Sequence, residues 1–304
     1  MEDGDRASMR MGGWELRILE TPEEMREVEE LQRQVWPGSD ADIVPAHLLV
    51  TAAHNGGLVV GAFAGARLVG FVFGFPGLDT RVIPPRLKHC SHMLGVHPDY
   101  RDAGIGFALK RAQWQIVRHQ GIDRVTWTYD PLLSRNAYLN IAKLGAVCDT
   151  YLRNVYGKMR DAMNAGLPSD RFQVDWWVHS PRVEQRMSGE SRPRLGLAQY
   201  LEAGAALLNP SSFPDSPVPP PPTLELIWSQ GCESRLSTVL VEIPSDFLAL
   251  KAADPGLALV WRLRTRALFE ALFARGFIVT DFLYESGPPP RSLYVLSLGT
   301  CTIL

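Results

Sequence analysis

Two periodicities alternate along the chain. Trp14–Glu20 alternates apolar and polar residues and predicts a strand. Thr21-Pro22-Glu23-Glu24 then reads as a capping box with proline at the first helical position. The helix it opens carries Met25, Val28, Leu31 and Val35 at helical spacing and should stop near Trp36-Pro37-Gly38. A second helix is predicted over Pro45–Ala53, before Gly56-Gly57 breaks the chain. Leu58–Phe63 and Leu68–Phe75 predict a hairpin about Ala64-Gly65-Ala66. Leu78–Lys88 reads as a loop containing prolines, and His89–His97 as a strand. A helix follows to Gly121, with Ile105, Ala108, Leu109, Ala112 and Ile116 on its apolar face. Beyond it come a strand (Arg124–Tyr129), a helix (Ser134–Leu144, Ser134 as N-cap) and strands over Val147–Met159 and Arg171–Val178.

The pattern changes after Pro181. Asn209–Thr223 is rich in proline and ends in Pro219-Pro220-Pro221-Pro222, which predicts a stiff, extended linker. Strands follow at Leu224–Trp228 and Ser237–Ile243. A helix capped by Asp254-Pro255 runs to Arg275, with Val260, Leu263, Ala267, Ala271 and Ala274 on one face. Strands at Phe277–Tyr284 and Ser292–Leu298 close the chain. The expected organisation is a disordered N-terminus (1–13), a first domain (14–180), a polar and Pro-rich linker (181–222) and a small strand–helix–strand–strand domain (223–304).

Composition narrows the class. The 304 residues are 46% hydrophobic and 21% charged, with net charge −2, ordinary values for a globular protein. No basic footprint predicts nucleic-acid binding, and no apolar run is long enough to cross a bilayer. The N-terminus is acidic and predicts no secretory leader. Cys90, Cys148, Cys232 and Cys301 are scattered, as are the seven histidines. Reduced thiols in a cytoplasmic protein are expected, and no metal.

The chemistry gathers at Met93–Gly121. A strand ends in Val96-His97-Pro98, and the loop Arg101-Asp102-Ala103-Gly104-Ile105-Gly106 opens a helix. Backbone N–H groups at a helix start have no intrahelical partner and sit at the positive end of the dipole. With two glycines and an arginine, the loop reads as a pyrophosphate cradle. The plainer alternative is a helix start with turn glycines and a surface arginine.

Arg-x-x-Gly-x-Gly between a strand ending in Val-x-Pro and an amphipathic helix resembles the acyl-CoA signature of the GNAT acyltransferase superfamily. Asn136-Ala137 followed by Lys143-Leu144-Gly145-Ala146 resembles that family's next helix and turn. The element order over roughly the first 180 residues matches as well. The resemblance implies an α/β (α+β) GNAT fold with a mixed, mostly antiparallel sheet. The C-terminal unit echoes part of it, as a degenerate half-GNAT. It also implies an acyl-CoA-dependent N-acyltransferase with acetyl-CoA or another acyl-CoA as co-substrate. Arg101, Asp102, Ala103, Gly104, Ile105 and Gly106 would hold the pyrophosphate. Leu94, Gly95 and Val96 would present main-chain groups to the pantetheine arm and acyl carbonyl, and Asn136 would contact that arm.

For the general base His92 is favoured. It is placed on the strand face of Leu94 and Val96, and imidazole titrates near ~6.5. Aralkylamine acetyltransferases of the superfamily look similar there. A histidine satisfied in the core or at the surface is the alternative; His89 and Glu24 are weaker candidates. The tyrosine many relatives place two residues before the motif lysine is here Ile141, with Tyr138 and Asn140 nearby. The thiolate could leave without a dedicated acid, since a thiol titrates near ~8.5. Arg135, Arg153, Asn154, Asp175, Trp176, Trp177 and Arg182 fall near strand ends expected to border the acceptor. Of these, Arg135, Arg153 and Trp177 are the substrate candidates. Arg262, Arg264 and Arg266 read as a solvated face or domain contact. The expected reaction moves acetyl or succinyl to a small, amino-acid-like amine by direct transfer, and the chain could form a homodimer. A protein or peptide N-acetyltransferase, or a CoA-binding regulatory module without turnover, remain as alternatives.

Overall fold

A computed structural model describes residues 8–11, 13–38, 43–157, 159, 165–189, 193–210, 220–222 and 237–299. The chain divides into two compact units. The first comprises Met1–Trp127, Arg160–Ala162 and Trp177–His179. The second comprises Thr128–Met159, Met163–Trp176 and Ser180–Leu304. The division falls within a strand, at Trp127/Thr128. The predicted strand Leu224–Trp228 and most of the proline-rich segment lie outside the described residues.

In the first unit, β1 (Ser8–Met11), β2 (Trp14–Ile18), β3 (Leu58–Ala64), β4 (Arg67–Asp79) and β5 (Arg86–Val96) are antiparallel neighbours in chain order. β6 (Arg124–Tyr129) runs parallel to β5. The crossover helix between β5 and β6 imposes that parallel pairing, since only a long connection can return a strand in the same direction. Ser8–Met11 is a strand where disorder is expected from the sequence: it pairs with β2 and satisfies the backbone groups of that edge. The β4–β5 hairpin is also longer than predicted, and its strands run into both ends of the expected loop, to Asp79 and from Arg86.

α1 (Pro22–Val35) starts where the capping box places it: the Glu24 N–H donates to Thr21 Oγ1, and the Thr21 N–H donates to Glu24 Oε2. With α2 (Ala46–His54), α1 covers one sheet face, where Met25, Val28, Leu31 and Leu49 meet Val59, Phe71 and Phe73. α3 (Ile105–His119) covers the other face. Its approach is close: a Cβ at Gly70 would stand 2.8 Å from Ile105 Cγ2. Gly70 pairs with Val96, so the start of α3 packs beneath the end of β5.

The second unit holds α4 (Ser134–Ala137), continued as a π-helical turn over Tyr138–Lys143, and β7 (Val147–Leu152). Leu133, not Ser134, is the N-cap; the Ser134 hydroxyl instead hydrogen-bonds that of Ser292. β8 (Arg171–Trp177) pairs with β7. After α5 (Pro181–Met187) and α6 (Leu197–Glu202) come β9 (Ala206–Leu207), β10 (Thr238–Ile243), α7 (Phe247–Ala253), α8 (Pro255–Phe273), β11 (Phe277–Glu285) and β12 (Arg291–Leu298). β11 joins β7 at Val279–Cys148, β12 lies between β11 and β10, and β9 adds to β10 in parallel.

The buried face of α8 differs from the expected one. Ala258, Trp261, Arg262, Thr265, Leu268, Phe269 and Leu272 are buried, while Val260 and Leu263 are exposed. Arg262 is not on a solvated face. Its Nη1 and Nη2 donate to the two carboxylate oxygens of buried Asp130, at 2.9 and 2.5 Å. Arg266 makes the same bidentate contact with Asp170. Forked pairs of this kind let a guanidinium leave water without losing its hydrogen bonds.

Candidate active site

Proline at 98 and the short 3-10 turn Pro98–Tyr100 end β5 and turn the chain toward α3. Asp102 and Gly104 both have left-handed φ, 65° and 80°. Such turns gather backbone N–H groups on one side, the arrangement that binds anions. Gly104 is the N-cap of α3, and no side chain caps the helix. Arg101, Asp102, Ala103 and Gly104 are exposed, whereas Ile105 anchors the turn in the core. The Trp14 indole N–H donates to the Ala103 carbonyl at 3.0 Å and fixes the loop from the side of β2. The loop thus turns through two left-handed residues into the start of α3, and its N-cap, a glycine, supplies no side-chain cap.

β5 carries the other half of the site. β6 registers on it only at His89–Val125 and Cys90–Thr126. From Ser91 to Val96 no strand registers on that edge of β5 among the described residues. On the opposite edge a bulge interrupts the pairing with β4: Phe73 pairs with Met93, but Gly74 pairs with Ser91. His92 is the extra residue. Bulges bend a strand and re-aim a side chain, and this one corrects the expected placement of His92. Ser91 faces α3, where its hydroxyl bonds Gln113, while Met93 packs with Phe73 on the α1–α2 face. His92 stands on that same α1–α2 face, its ring 5.8 Å from Phe73 and 5.9 Å from Phe75. Leu94 and Val96 pair with Val72 and Gly70 on the α3 face. His92 thus does not share a face with Leu94 and Val96. The imidazole remains exposed, but the two aromatic rings exclude water from part of it, and this desolvation lowers its pKa from the usual 6.5.

The weaker base candidates are committed elsewhere. Glu24 Oε2 accepts from the N–H groups of Glu20 and Thr21. His89 is fully buried, and desolvation together with the nearby Lys110 charge pushes its pKa down to about 3.

The substrate candidates do not form one group. Trp177 belongs to the first unit, where its ring covers the Arg124 guanidinium. Arg124 in turn pairs with buried Asp79, far along β4 from the bulge. Arg135, Asn136 and Arg153 belong to the second unit. Arg153 donates through Nε and Nη2 to Glu270 at 2.5 Å each, so its guanidinium is already engaged. Arg135 is exposed and Asn136 half-buried in α4. Ile141 is fully buried in the π-helical turn. Tyr138 accepts a hydrogen bond on its hydroxyl from Arg194.

The cluster that sequence reasoning misses lies beneath the bulge. Lys110 is buried, and its Nζ donates to Ser91 Oγ at 2.7 Å and to Gln113 Oε1 at 3.0 Å, 3.7 Å from the Trp127 ring centroid. A lysine and a glutamine three residues apart, beside the apolar stripe of α3, are the only signal the sequence offers. Among the described residues no group of His, Cys, Asp or Glu could hold a metal ion, and no helix is long and apolar enough to cross a membrane. Cys90 and Cys148 are free thiols; Cys232 and Cys301 lie outside the described residues.

A mixed sheet whose parallel pair parts beside a glycine-turned helix start is the arrangement that the sequence resemblance implies. The comparisons agree. Residues 20–140 match the model of the acetyltransferase (GNAT) family, so the chain carries a GNAT acetyltransferase domain, a transferase fold of the N-acyltransferase class. No curated protein sequence matches. Among solved structures, a GNAT-family acetyltransferase from Streptococcus pneumoniae is 16% identical, over 53% of this chain and 98% of its own, with TM-score 0.42. Aminoglycoside 6'-acetyltransferase type Ii is 19% identical, over 54% and 97%, with TM-score 0.42. Arabidopsis thaliana NAA60 in complex with acetyl-CoA is 16% identical, over 53% and 98%, with TM-score 0.42. At these scores the structural likenesses carry no weight; the family assignment rests on residues 20–140.

Proposed function

We propose that the protein transfers an acetyl or succinyl group from its CoA thioester to the amine of a small, amino-acid-like acceptor, in a ternary complex in the cytoplasm. The observation that carries this reading is the edge of β5 that β6 leaves unregistered after Cys90, which runs on to Val96 over the start of α3. Arg101 and the N–H groups of Asp102–Gly106 bind the pyrophosphate. The free edge of β5 at Leu94, Gly95 and Val96 pairs with the pantetheine arm and polarises the acyl carbonyl. His92, neutral at physiological pH, takes a proton from the acceptor ammonium. The amine then forms the C–N bond and its nitrogen gives a second proton to solvent; the tetrahedral intermediate collapses, and the C–S bond breaks to release the thiolate. Ile141 supplies no acid, and solvent protonates the thiolate.

Residues 14–180 serve as the acyltransferase domain, 181–222 as a linker, and 223–304 as an accessory unit. The described part of the accessory unit runs strand, two helices, strand, strand, an order close to that from β6 to β8.

The test is incubation with acetyl-CoA or succinyl-CoA and a panel of amino acids and simple amines, following free thiol and the mass of the acceptor. Thiol release matched by an acylated acceptor supports the reading. Tight CoA binding without turnover on any amine would make the chain a CoA-binding module, and acylation of peptides alone would move the acceptor class.

A further inference from the structure

Lys110 is an expensive residue to bury. A lysine ammonium taken out of water is destabilised unless its protons are matched. Here the side chain is 2% exposed, and desolvation pushes its pKa well below the usual 10.5. A leucine in its place would pack against the sheet without that cost. What the lysine provides is a hold on Ser91 Oγ, 2.7 Å away, and on Gln113 Oε1.

Ser91 is the last β5 residue in register with β4 before the extra residue His92. The grip on it is doubled. Gln113 Oε1 accepts from both Ser91 Oγ and Lys110 Nζ, at 3.0 Å each. That leaves the Gln113 amide N–H to donate to His89 Nε2 at 3.1 Å. His89 lies opposite the empty side of Gly74, where a Cβ would collide with its ring and stand 2.8 Å from the Cys90 carbonyl. Two β5 side chains, His89 and Ser91, are thus tied to one helix through Gln113 and Lys110. Trp127 of β6 closes the cluster over the Lys110 ammonium.

A bulge is a register defect and can in principle migrate along its strand. Moving it by one residue transfers side chains to the opposite face. For His92, that is the difference between standing against Phe73 and Phe75 and facing α3.

We propose that Lys110, acting through Ser91, is a positioning residue for acyl transfer: it pins the β5 bulge in the register that holds His92 on the Phe73–Phe75 face. This rests on the reading of His92 as the base. Lys110 itself touches neither acyl donor nor acceptor.

The experiment compares the wild type with Lys110→Met, Ser91→Ala and Ser91→Thr, following the His92 imidazole resonances across pH by NMR together with steady-state kinetics. The NMR arm needs no turnover, so it decides the anchor even if no amine is acylated and the functional reading fails. In Lys110→Met and Ser91→Ala, the His92 resonances shift and its titration midpoint rises toward 6.5 as the ring leaves the two phenylalanines. kcat falls on the order of 10²-fold, the scale of a small misplacement of a reacting group, while KM for the acyl-CoA stays within about twofold. Ser91→Thr keeps the hydroxyl and restores both. In a His92→Ala background, Lys110→Met causes no further loss of kcat. An unchanged His92 titration in folded Lys110→Met would overturn the proposal, as would an equal loss of kcat with and without His92. If Lys110→Met does not fold, Ser91→Ala, which removes only one hydroxyl, decides by the same readouts.

Discussion

His92 and His89 lie three residues apart on one strand and titrate in different surroundings. His92 is open to solvent on one side and desolvated by two phenylalanines on the other. Its pKa is lowered, so it is neutral and able to accept a proton throughout the neutral range. His92→Ala should lower kcat/KM by about 10²-fold or more, the usual contribution of a positioned base. His89 is neutral because it is buried, and its pKa is depressed to about 3. Between pH 6.5 and 3 the unfolded chain binds a proton at this position that the folded chain does not. Stability from His89 is therefore complete above pH 6.5 and is lost progressively as pH falls toward 3. From pH 6.5 to 4.5 the loss from this group should be about 2 kcal/mol, at about 1.4 kcal/mol per pH unit. Urea unfolding of the wild type and His89→Gln at those two pH values should show a smaller pH dependence in the variant. Equal dependence in both would remove His89 as its source.

At the scale of elements, what the sequence makes legible depends on whether the signal is local. The Thr21 capping box, the strand ending at Val96-His97-Pro98 and the turn at Gly104 are written in neighbouring residues, and each is in place. The β5 bulge is not written locally. It exists because β4 offers Gly74 opposite Ser91, and strict alternation places His92 on the wrong face. α8 fails for a related reason. Its stripe reads as Val260 and Leu263 because Arg262 and Thr265 look like solvent-facing residues. In the fold they are buried, Arg262 by its pairing with Asp130. A periodicity argument treats charge as exposed and has no way to see a partner 132 residues away. The glycines in β4 and β5 give a direct test of the packing. A Cβ at Gly95 would stand 2.6 Å from the ring of buried Phe71 and 3.2 Å from Trp36. Gly95→Ala should cost roughly 1–3 kcal/mol by overpacking, read as a lowered melting temperature. An unaffected melting temperature would mean that Phe71 and Trp36 can yield.

At the scale of the whole molecule, each unit has its own core and its own buried charge. In the second unit, Phe172, Phe269, Phe282 and Tyr294 form an aromatic cluster. Asp130 and Arg262 are buried in the same unit. Arg262→Met leaves Asp130 buried without its forked partner and should destabilise the protein by about 3–5 kcal/mol. Asp130→Leu combined with Arg262→Met should recover much of that loss in a denaturant titration. A double variant as unstable as the single would show that the pair contributes more than mutual neutralisation.

The proposed chemistry belongs to the first unit, which holds the Arg101–Gly106 loop, the parted edge of β5 and His92. The measurement that bears most directly on that assignment is the pH dependence of kcat/KM for thiol release, in the wild type and in His92→Ala, with the best acceptor from the amine panel. The wild-type profile should rise through a midpoint below 6.5 that belongs to His92, and that limb should vanish in His92→Ala while CoA affinity is retained. The same limb in both proteins, or no thiol release by the wild type with any amine, would contradict the account.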